Sequence, residues 1–325
     1  IPDRKFRIRG IKIRVPGAGA NGSGTPTVVT SQAVADSLGL GTVSSFGFIH
    51  YPDGYIFDGV MAAATWCSDP AMVLLDLLTT SRYGFGDHIT DASLDLFSFV
   101  SASKFSSALV DDGAGALEPR FSCNVNIQTS KEAFELINEL AGVMRCMPIW
   151  SAGSITITQD KPSDPSYLFT LANVGNAGFS YAGSSLKTRH SVVSVSYFNL
   201  DSQEIDFEVH EDTDLIAKIG TVVKKVQAFG CTSRGQAKRL AKAILFAENN
   251  ESEVCTFTTS IDSGVVVRPG AVIEIADPVR SGVRRGGRVS SATTTQITVD
   301  DNAATDLPTT NNPTLSVILP DGTVE

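Results

Sequence analysis

The sequence predicts an α+β fold of more than one domain, and three observations carry that expectation. Four stretches show helical apolar spacing behind helix-start residues, short β-prone runs lie between them, and the C-terminal part contains strands and turn residues only. A chain of 325 residues can bury a large apolar interior and is long enough for two or three domains. The expected division is residues 1–118 as an irregular β region followed by a helical subdomain, 119–260 as a central α+β domain, and 261–325 as a small all-β domain incomplete at its C-terminus.

In chain order, RIRGIKIRV, FGFIHY and GYIFDGV alternate with Gly, Pro and Ser loops between Arg4 and Val60, the pattern of short irregular strands. Asp69 before Pro70 is an N-cap ahead of a first-turn proline, so AMVLLDLLTTSRY reads as a mostly buried helix stopped by Gly84 and Gly86. A second helix is expected from Thr90, with Asp91 favoured in its first turn and Leu94, Phe97 and Val100 or Ser101 inward. Thr129 and Glu132 stand in capping-box spacing before a third helix, whose Phe134, Ile137, Leu140, Ala141 and Met144 share one face. FSCNVNI, SITITQD, SVVSVSYFNL and EIDFEVH are the strands for it to pack on, with a turn at Ser151–Gly153. Ser233 and Gln236 cap a fourth helix with Ala237, Leu240, Ala241 and Ile244 inward. After it, CTFTTSI, VVVRPGAVIEIAD, GGRVSSATTTQITVD and TLSVIL suggest a small β-barrel or sandwich.

Composition removes several classes of function. No apolar run approaches the ~20 residues that span a bilayer as a helix. The formal net charge of −9 opposes a protein whose main affinity is for phosphate backbones, which comes from Lys and Arg displacing counterions. Five scattered cysteines without a C-x-x-C pair are the usage of buried thiols, not of a metal site or disulfide framework. The N-terminus, IPDRKFRIRG, has neither an initiator Met nor a signal pattern, which suggests a piece of something longer.

Chemistry-bearing motifs are few. Gly17, Gly19 and Gly22 spell G-x-G-x-x-G, but Pro26 and β-branched residues follow where a dinucleotide fold needs a helix, so a loop is expected. Asp111-Asp112 and Asp300-Asp301 lack the alternating oxygens and closing Glu of a calcium loop. His50, His88, His190 and His210 lack zinc-site spacing, and no G-x-S-x-G surrounds a serine. No catalytic residue, metal ligand or cofactor is therefore expected. Two basic groupings stand out in an acidic chain: Arg234, Lys238 and Lys242 at i, i+4, i+8 opposite the apolar face of the fourth helix, and Arg280, Arg284, Arg285 and Arg288 close together. They read either as solvated faces or as a protein interface, where Arg is favoured.

From Trp66 to Asp87 the wording resembles a known family. W-C-S-D-P-A-M-V-L-L-D-L-L-T-T-S-R-Y-G-F-G-D is similar to its helix opened by Pro-Ala and ended by R-Y-G-x-G. The likeness continues in Asp95-Leu96-Phe97, in Glu118-Pro119-Arg120-Phe121-Ser122-Cys123-Asn124-Val125, in Gln159-Asp160-Lys161-Pro162, in Tyr167-Leu168-Phe169-Thr170 and in Arg189-His190. Its most distinctive run is Ala228-Phe229-Gly230-Cys231-Thr232-Ser233-Arg234-Gly235-Gln236-Ala237, and Val267-Arg268-Pro269-Gly270, Ala276-Asp277-Pro278 and Gly286-Gly287-Arg288 complete it. The chain is identified by these residues, roughly 60 to 300, as resembling the phage host specificity protein J, or tip attachment protein J, family.

The resemblance implies a virion protein with tail-tube-like β-sheet or barrel hub domains and packed helices, trimeric at the distal end of a long noncontractile tail. It implies contact with a ring of distal tail protein and with the tape-measure protein, passage of DNA through the assembly without specific binding, and receptor contact by downstream regions absent here. It brings no catalytic residues. Two alternatives stay open: a hub of a gene transfer agent or prophage-derived tail, and a tip-borne peptidoglycan hydrolase, for which no paired-carboxylate, Cys/His or zinc constellation is found.

Overall fold

The structure is a computed structural model that describes residues 9–127, 132–151, 153–175, 177–185, 188–281, 288–299, 317–319 and 323. Helices and strands are both present throughout, which makes the fold α+β. The chain divides into two compact units, Ile1–Asp160 with Ser185–Ser252, and Lys161–Ser184 with Glu253–Glu325. These limits differ from the sequence-based ones at 118/119 and 260/261. The second unit is assembled by pairing strands far apart in the chain, which local composition does not register.

The first unit begins with β1 (Lys12–Ile13), β2 (Thr27–Val29), the short helix α1 (Gln32–Ser37), β3 (Phe48–His50) and β4 (Thr65–Trp66), with β1 pairing β4 and β2 pairing β3. After Gly17 and Gly19 comes one 3-10 turn at Ala20–Gly22 and then β2, so the glycine motif is a loop. Helix α2 (Pro70–Thr79) starts where expected: the Asp69 carboxylate accepts from the N–H groups of Ala71 and Met72 at 3.0 and 3.1 Å. It is apolar nearly all round and correspondingly interior. Beyond Thr79 the chain doubles back over the helix end, with Phe85 N donating to the Leu77 carbonyl and Gly86 N to that of Thr80. A Cβ on Gly84 would lie 2.0 Å from the Leu77 oxygen. R-Y-G-x-G is thus the sequence of a close backbone crossing.

The second long helix begins later than expected. Asp91–Ser93 form a 3-10 turn, and α3 (Leu96–Ser107) is capped by Asp95, which accepts from Ser98 N at 3.4 Å. Leu94 precedes the helix, so helical spacing from it does not reach Phe97, which is exposed while Phe99, Ala102, Ser103 and Ser106 face inward; Leu94 and Val100 are buried as expected. The hairpin β5 (Leu109–Asp111) and β6 (Leu117–Pro119) follows. Residues 121–127, expected as a strand, form none; Phe121, Cys123 and Asn124 donate instead to carbonyls of Ser106, Ser68 and Gly230.

Helix α4 (Ala133–Val143) has Glu132 at its N-cap position without a side-chain cap, and Thr129 lies outside the described residues. Leu136, Leu140, Ala141 and Met144 are buried and Ile137 partly so, whereas Phe134 in the first turn is 71% exposed. The hairpin β7 (Cys146–Ser151) and β8 (Ser154–Gln159) packs against α3 and α4. These elements enclose the main core, centred on Met72, Leu75, Leu78, Phe99, Leu140 and Met144.

Strands β9 (Leu168–Thr170) and β10 (Ser180–Gly183) belong to the second unit, after which the chain returns to the first. There β11 (Val192–Asn199) pairs antiparallel with β12 (Glu204–Glu211) and parallel with β13 (Val223–Gln227), the short α5 (Thr213–Ile219) lying between the last two. Helix α6 (Arg234–Asn250) covers one face of this sheet: Ala237, Ala241 and Leu245 meet Val193, Val195 and Tyr197, and Leu240 and Ile244 pack at the margin.

In the second unit β14 (Glu253–Thr256), α7 (Ile261–Val266), β15 (Glu274–Ala276), α8 (Pro278–Ser281), β16 (Val289–Ala292) and β17 (Ile297–Val299) follow. β9 pairs parallel with β15, β10 antiparallel with β14, and β16 with β17. Tyr167, Phe169, Phe257 and Phe179 stack in succession between these pairs, with ring centroids 4.8, 4.7 and 5.3 Å apart. Of the small barrel or sandwich expected for this part, the described residues form no closed barrel; the described strands of the second unit make separate two-stranded pairs. Val265 and Val266, expected in a strand, end α7, because Ser260 caps that turn by accepting from Ser263 N.

Candidate functional site: an interlocked motif pair and its flanking surfaces

Two of the sequence runs singled out above meet in the first unit, although more than a hundred residues separate them. Ser233 caps α6 by accepting from Gln236 N, and its hydroxyl donates to the Glu118 carboxylate. Arg239, one and a half turns later, donates to the same carboxylate at 2.6 Å and to the Arg120 carbonyl at 3.0 Å. The Gln236 amide closes the contact: Oε1 accepts from Ser122 N and Oγ, both at 3.0 Å, and Nε2 donates to Ser122 O at 3.1 Å. Asn124 reaches Thr232 Oγ1 at 3.0 Å. The approach is close enough to demand glycine at 235, where a Cβ would lie 2.3 Å from Glu118 Oε1. Glu118 and Gln236 are buried, so each group is satisfied by its partner in place of water.

The polar contacts along the exposed flank of α6 are of a different kind. Arg234 donates through Nε to Glu208 at 2.8 Å, but its side chain stays 76% exposed. Lys238 and Lys242 are exposed, and Phe246 continues the same stripe to the last turn. Arg280 lies in the second unit, where it pairs with Glu253 at 2.9 Å and sits over the Tyr181 ring. Arg284 and Arg285 lie outside the described residues. Structure therefore joins Arg234, Lys238 and Lys242 in one stripe and gives Arg280 a local partner set of its own. His190 meets Glu248, which also pairs with Lys224, and no cluster of three or more potential metal ligands occurs among the described residues.

Tip attachment protein J of Escherichia phage SECphi27 is 34% identical over 247 residues, 75% of this chain and 20% of that one. Tip attachment protein J of Escherichia phage SECphi4 is 30% identical over 239 residues, 72% of this chain and 21% of that one. The chain belongs to the phage tip attachment protein J family. Residues 132–289 also match the family described as "Putative phage tail protein". As a family member the chain is a structural component of a phage tail, and it spans about a fifth of the length of the curated relatives it matches.

Two solved structures are loosely similar. The 43 kDa tail protein of prophage MuSo2 from Shewanella oneidensis is 15% identical and covers 48% of each chain at a TM-score of 0.34. The tail protein from Neisseria meningitidis MC58 is 15% identical and covers 49% of each chain at 0.37.

Set beside tip attachment protein J, the interlock explains the wording of the two runs: E-P-R-F-S-C-N supplies the carboxylate and the strap, A-F-G-C-T-S-R-G-Q-A the cap, the glycine and the amide. Sequence reasoning did not single out Arg239, whose partner is 121 positions away. It also missed the outer face of β12. The alternation E-I-D-F-E-V-H-E gives a strand, but the usual inference that apolar positions face the core fails here. Glu208 is the side chain turned toward α6 by its ion pair, and Ile205, Phe207 and Val209 point away.

Proposed function

We propose that this chain is the central hub of the distal tail tip of a long-tailed noncontractile phage, a homotrimer without enzymatic activity. It closes the tail tube, docks the distal tail protein ring and the tape-measure protein, and opens for DNA ejection. Receptor contact belongs to downstream regions of the full protein. No cofactor takes part.

One observation carries this reading. Residues within the runs that resemble the family, Asp69, Gly84, Glu118, Ser122, Gly235 and Gln236, are engaged in caps, backbone crossings and buried hydrogen bonds that fix segments to one another. A scaffold needs its characteristic residues there, whereas a hydrolase needs them converging on a cleft with a reacting position between them. The formal charge of −9 fits a part that DNA passes without adhering, since like charges repel.

A reconstruction of the intact tail tip tests the proposal. Three copies of this chain beneath a ring of distal tail protein, with an acidic or neutral lumen, are expected. Any other copy number, or a lumen lined mainly by Arg and Lys, overturns it. Release of soluble fragments from labelled peptidoglycan by the purified protein overturns the non-enzymatic part.

A further inference from the structure

Of the run E-P-R-F-S-C-N, the interlock uses the side chains of the glutamate, the serine and the asparagine and leaves the guanidinium of Arg120 unused. Arg120 directly follows β6, and its backbone N–H donates to the Ala108 carbonyl at the end of α3 at 2.9 Å. The guanidinium lies over the ring of Phe105, in the last turn of that helix, 4.3 Å from the centroid. Phe121 stands beside Phe105, with ring centroids 6.4 Å apart. The side chain of Arg120 donates to no acid and no carbonyl among the described residues. Its Nε is buried without a partner, and its two Nη groups form the open end of the half-buried residue.

Charge makes this placement unfavourable for the chain by itself. Burial, and then the like charges of Arg239 and Arg145, hold the Arg120 pKa below the usual arginine value, and no carboxylate acts against them. The acids that belong to those two arginines are already engaged. Arg239 and Ser233 hold Glu118, and Arg145 holds Asp160. Three arginines against two carboxylates leave one positive charge uncompensated, in a chain whose formal net charge is −9. The carbonyl end of α3 and the face of Phe105 both favour a cation, but neither gives its N–H groups an acceptor.

An anion of matching shape supplies what is missing. A guanidinium offers a planar fork of N–H donors that one carboxylate fills with two parallel bonds. Stacking on Phe105 sets the plane of that fork in advance, so less side-chain freedom remains to be lost on binding. Arginine anchored in this way is a favoured carrier of binding energy at protein interfaces. Phosphate has suitable oxygens too, but a nucleic acid would also meet the repulsion of an acidic chain.

We propose that Arg120 receives, through its Nη groups, the carboxylate of an acidic side chain on a neighbouring protein chain of the tail. Only the chain's place in a phage tail is required for this, not its copy number or the closing of the tube.

A reconstruction of the intact tail tip at side-chain resolution reads the contact directly. A carboxylate of another chain about 3 Å from an Arg120 Nη is expected. Nη groups facing solvent, a phosphate in their place, or a carboxylate of the same copy overturns the proposal. Copy number comes from the same map: three copies with Arg120 unfilled refute this contact alone, and another number with Arg120 filled refutes the hub reading alone. Arg120→Met in the full protein gives an independent test, because it keeps an apolar contact with Phe105 and removes the charge. Its urea midpoint should be level with or above that of the unchanged protein, since the lost cation had no acceptor. The yield of assembled tips should fall about tenfold or more, as for the loss of a hydrogen-bonded charge pair. A lowered midpoint assigns Arg120 to the fold of its own chain, and an unchanged yield leaves it without a partner; either result overturns the proposal.

Discussion

Asp69 shows how much one residue holds together in this protein. It caps α2 with one oxygen, and the other accepts from Ser103 Oγ at 3.0 Å and Ser107 Oγ at 2.8 Å, both on α3. Ser107 in turn accepts from Ile49 N, and Ser103 shares a hydrogen bond with the Tyr51 hydroxyl, so a cap legible in the sequence is also the junction of two helices and β3. Burial pushes the carboxyl up from 3.8 to about 6, against the hydrogen bonds that favour its charged form. The sign of the pH effect follows. Between about pH 4 and pH 6 the folded chain holds a proton that the unfolded chain has released, so Asp69 makes the protein less stable as pH rises through that window. Replacement by Asn, which still caps and cannot ionise, removes that slope. Across the window the stability of Asp69→Asn relative to the unchanged protein should rise by roughly 3 kcal/mol and then stay level above it. Denaturant unfolding from pH 4 to pH 7 measures this, and parallel profiles for the two proteins would contradict it. Asp69 before Pro70 was visible as a cap because capping is local. Its bonds to Ser103 and Ser107 were not, because nothing in a helix sequence tells which serine will face a buried acid more than thirty residues away.

Among elements, α6 joins the sheet through its apolar face and the first unit's earlier segments through its first turn and a half. Its inward set was readable from spacing alone, since Ala237 and Ala241 recur at one helical turn. Where a start was misplaced, the spacing argument failed with it: Leu94 precedes α3, so Phe97 three positions later does not share its side and lies outside, although Leu94 and Val100 are both buried. Segment 121–127 has a strand's composition, yet it is held by single bonds to three different elements, a use of extended backbone that β-propensity cannot distinguish from a ladder. The interlock gives a strong prediction. Arg239→Met leaves the Glu118 carboxylate, whose side chain is 3% exposed, without its cation and should cost ~3–5 kcal/mol. Glu118→Leu combined with Arg239→Met should recover most of that loss, and denaturant midpoints of the single and double variants decide. The exposed stripe behaves oppositely. Reversing Lys238 and Lys242 to Glu should change folding stability by only ~0.5 kcal/mol each. Assembly of the tail tip is expected to fail in that double variant; normal assembly returns the stripe to solvent.

At the scale of the whole molecule, the proposed hub role bears on where host choice lies, because this chain spans about a fifth of the length of the curated relatives it matches. Choice of host requires surface that varies without disturbing assembly, and such surface is normally carried on long loops or projecting domains. Most of the described chain is otherwise committed: α2, α3 and α4 to one core, α6 to a sheet, and the family's signature runs to each other. The loops at Gly17–Gly24 and Asp111–Gly115 are bound at their bases, Gly17 N to Val60 O and Asp112 N to Ala116 O, and lack the aromatic and Arg anchors that concentrate binding energy. Two of the surfaces that remain open, the β12 face and the α6 stripe, lie on a sheet and a helix that pack against each other, so variation there would disturb that joint. Receptor choice is therefore expected downstream of residue 325. Exchanging residues 1–325 between two related phages of different host range, with the downstream part left in place, should leave each host range unchanged. Plating on both hosts reads the result directly. A host range that travelled with residues 1–325 would place receptor contact on this scaffold and make its open surfaces the first place to look for it.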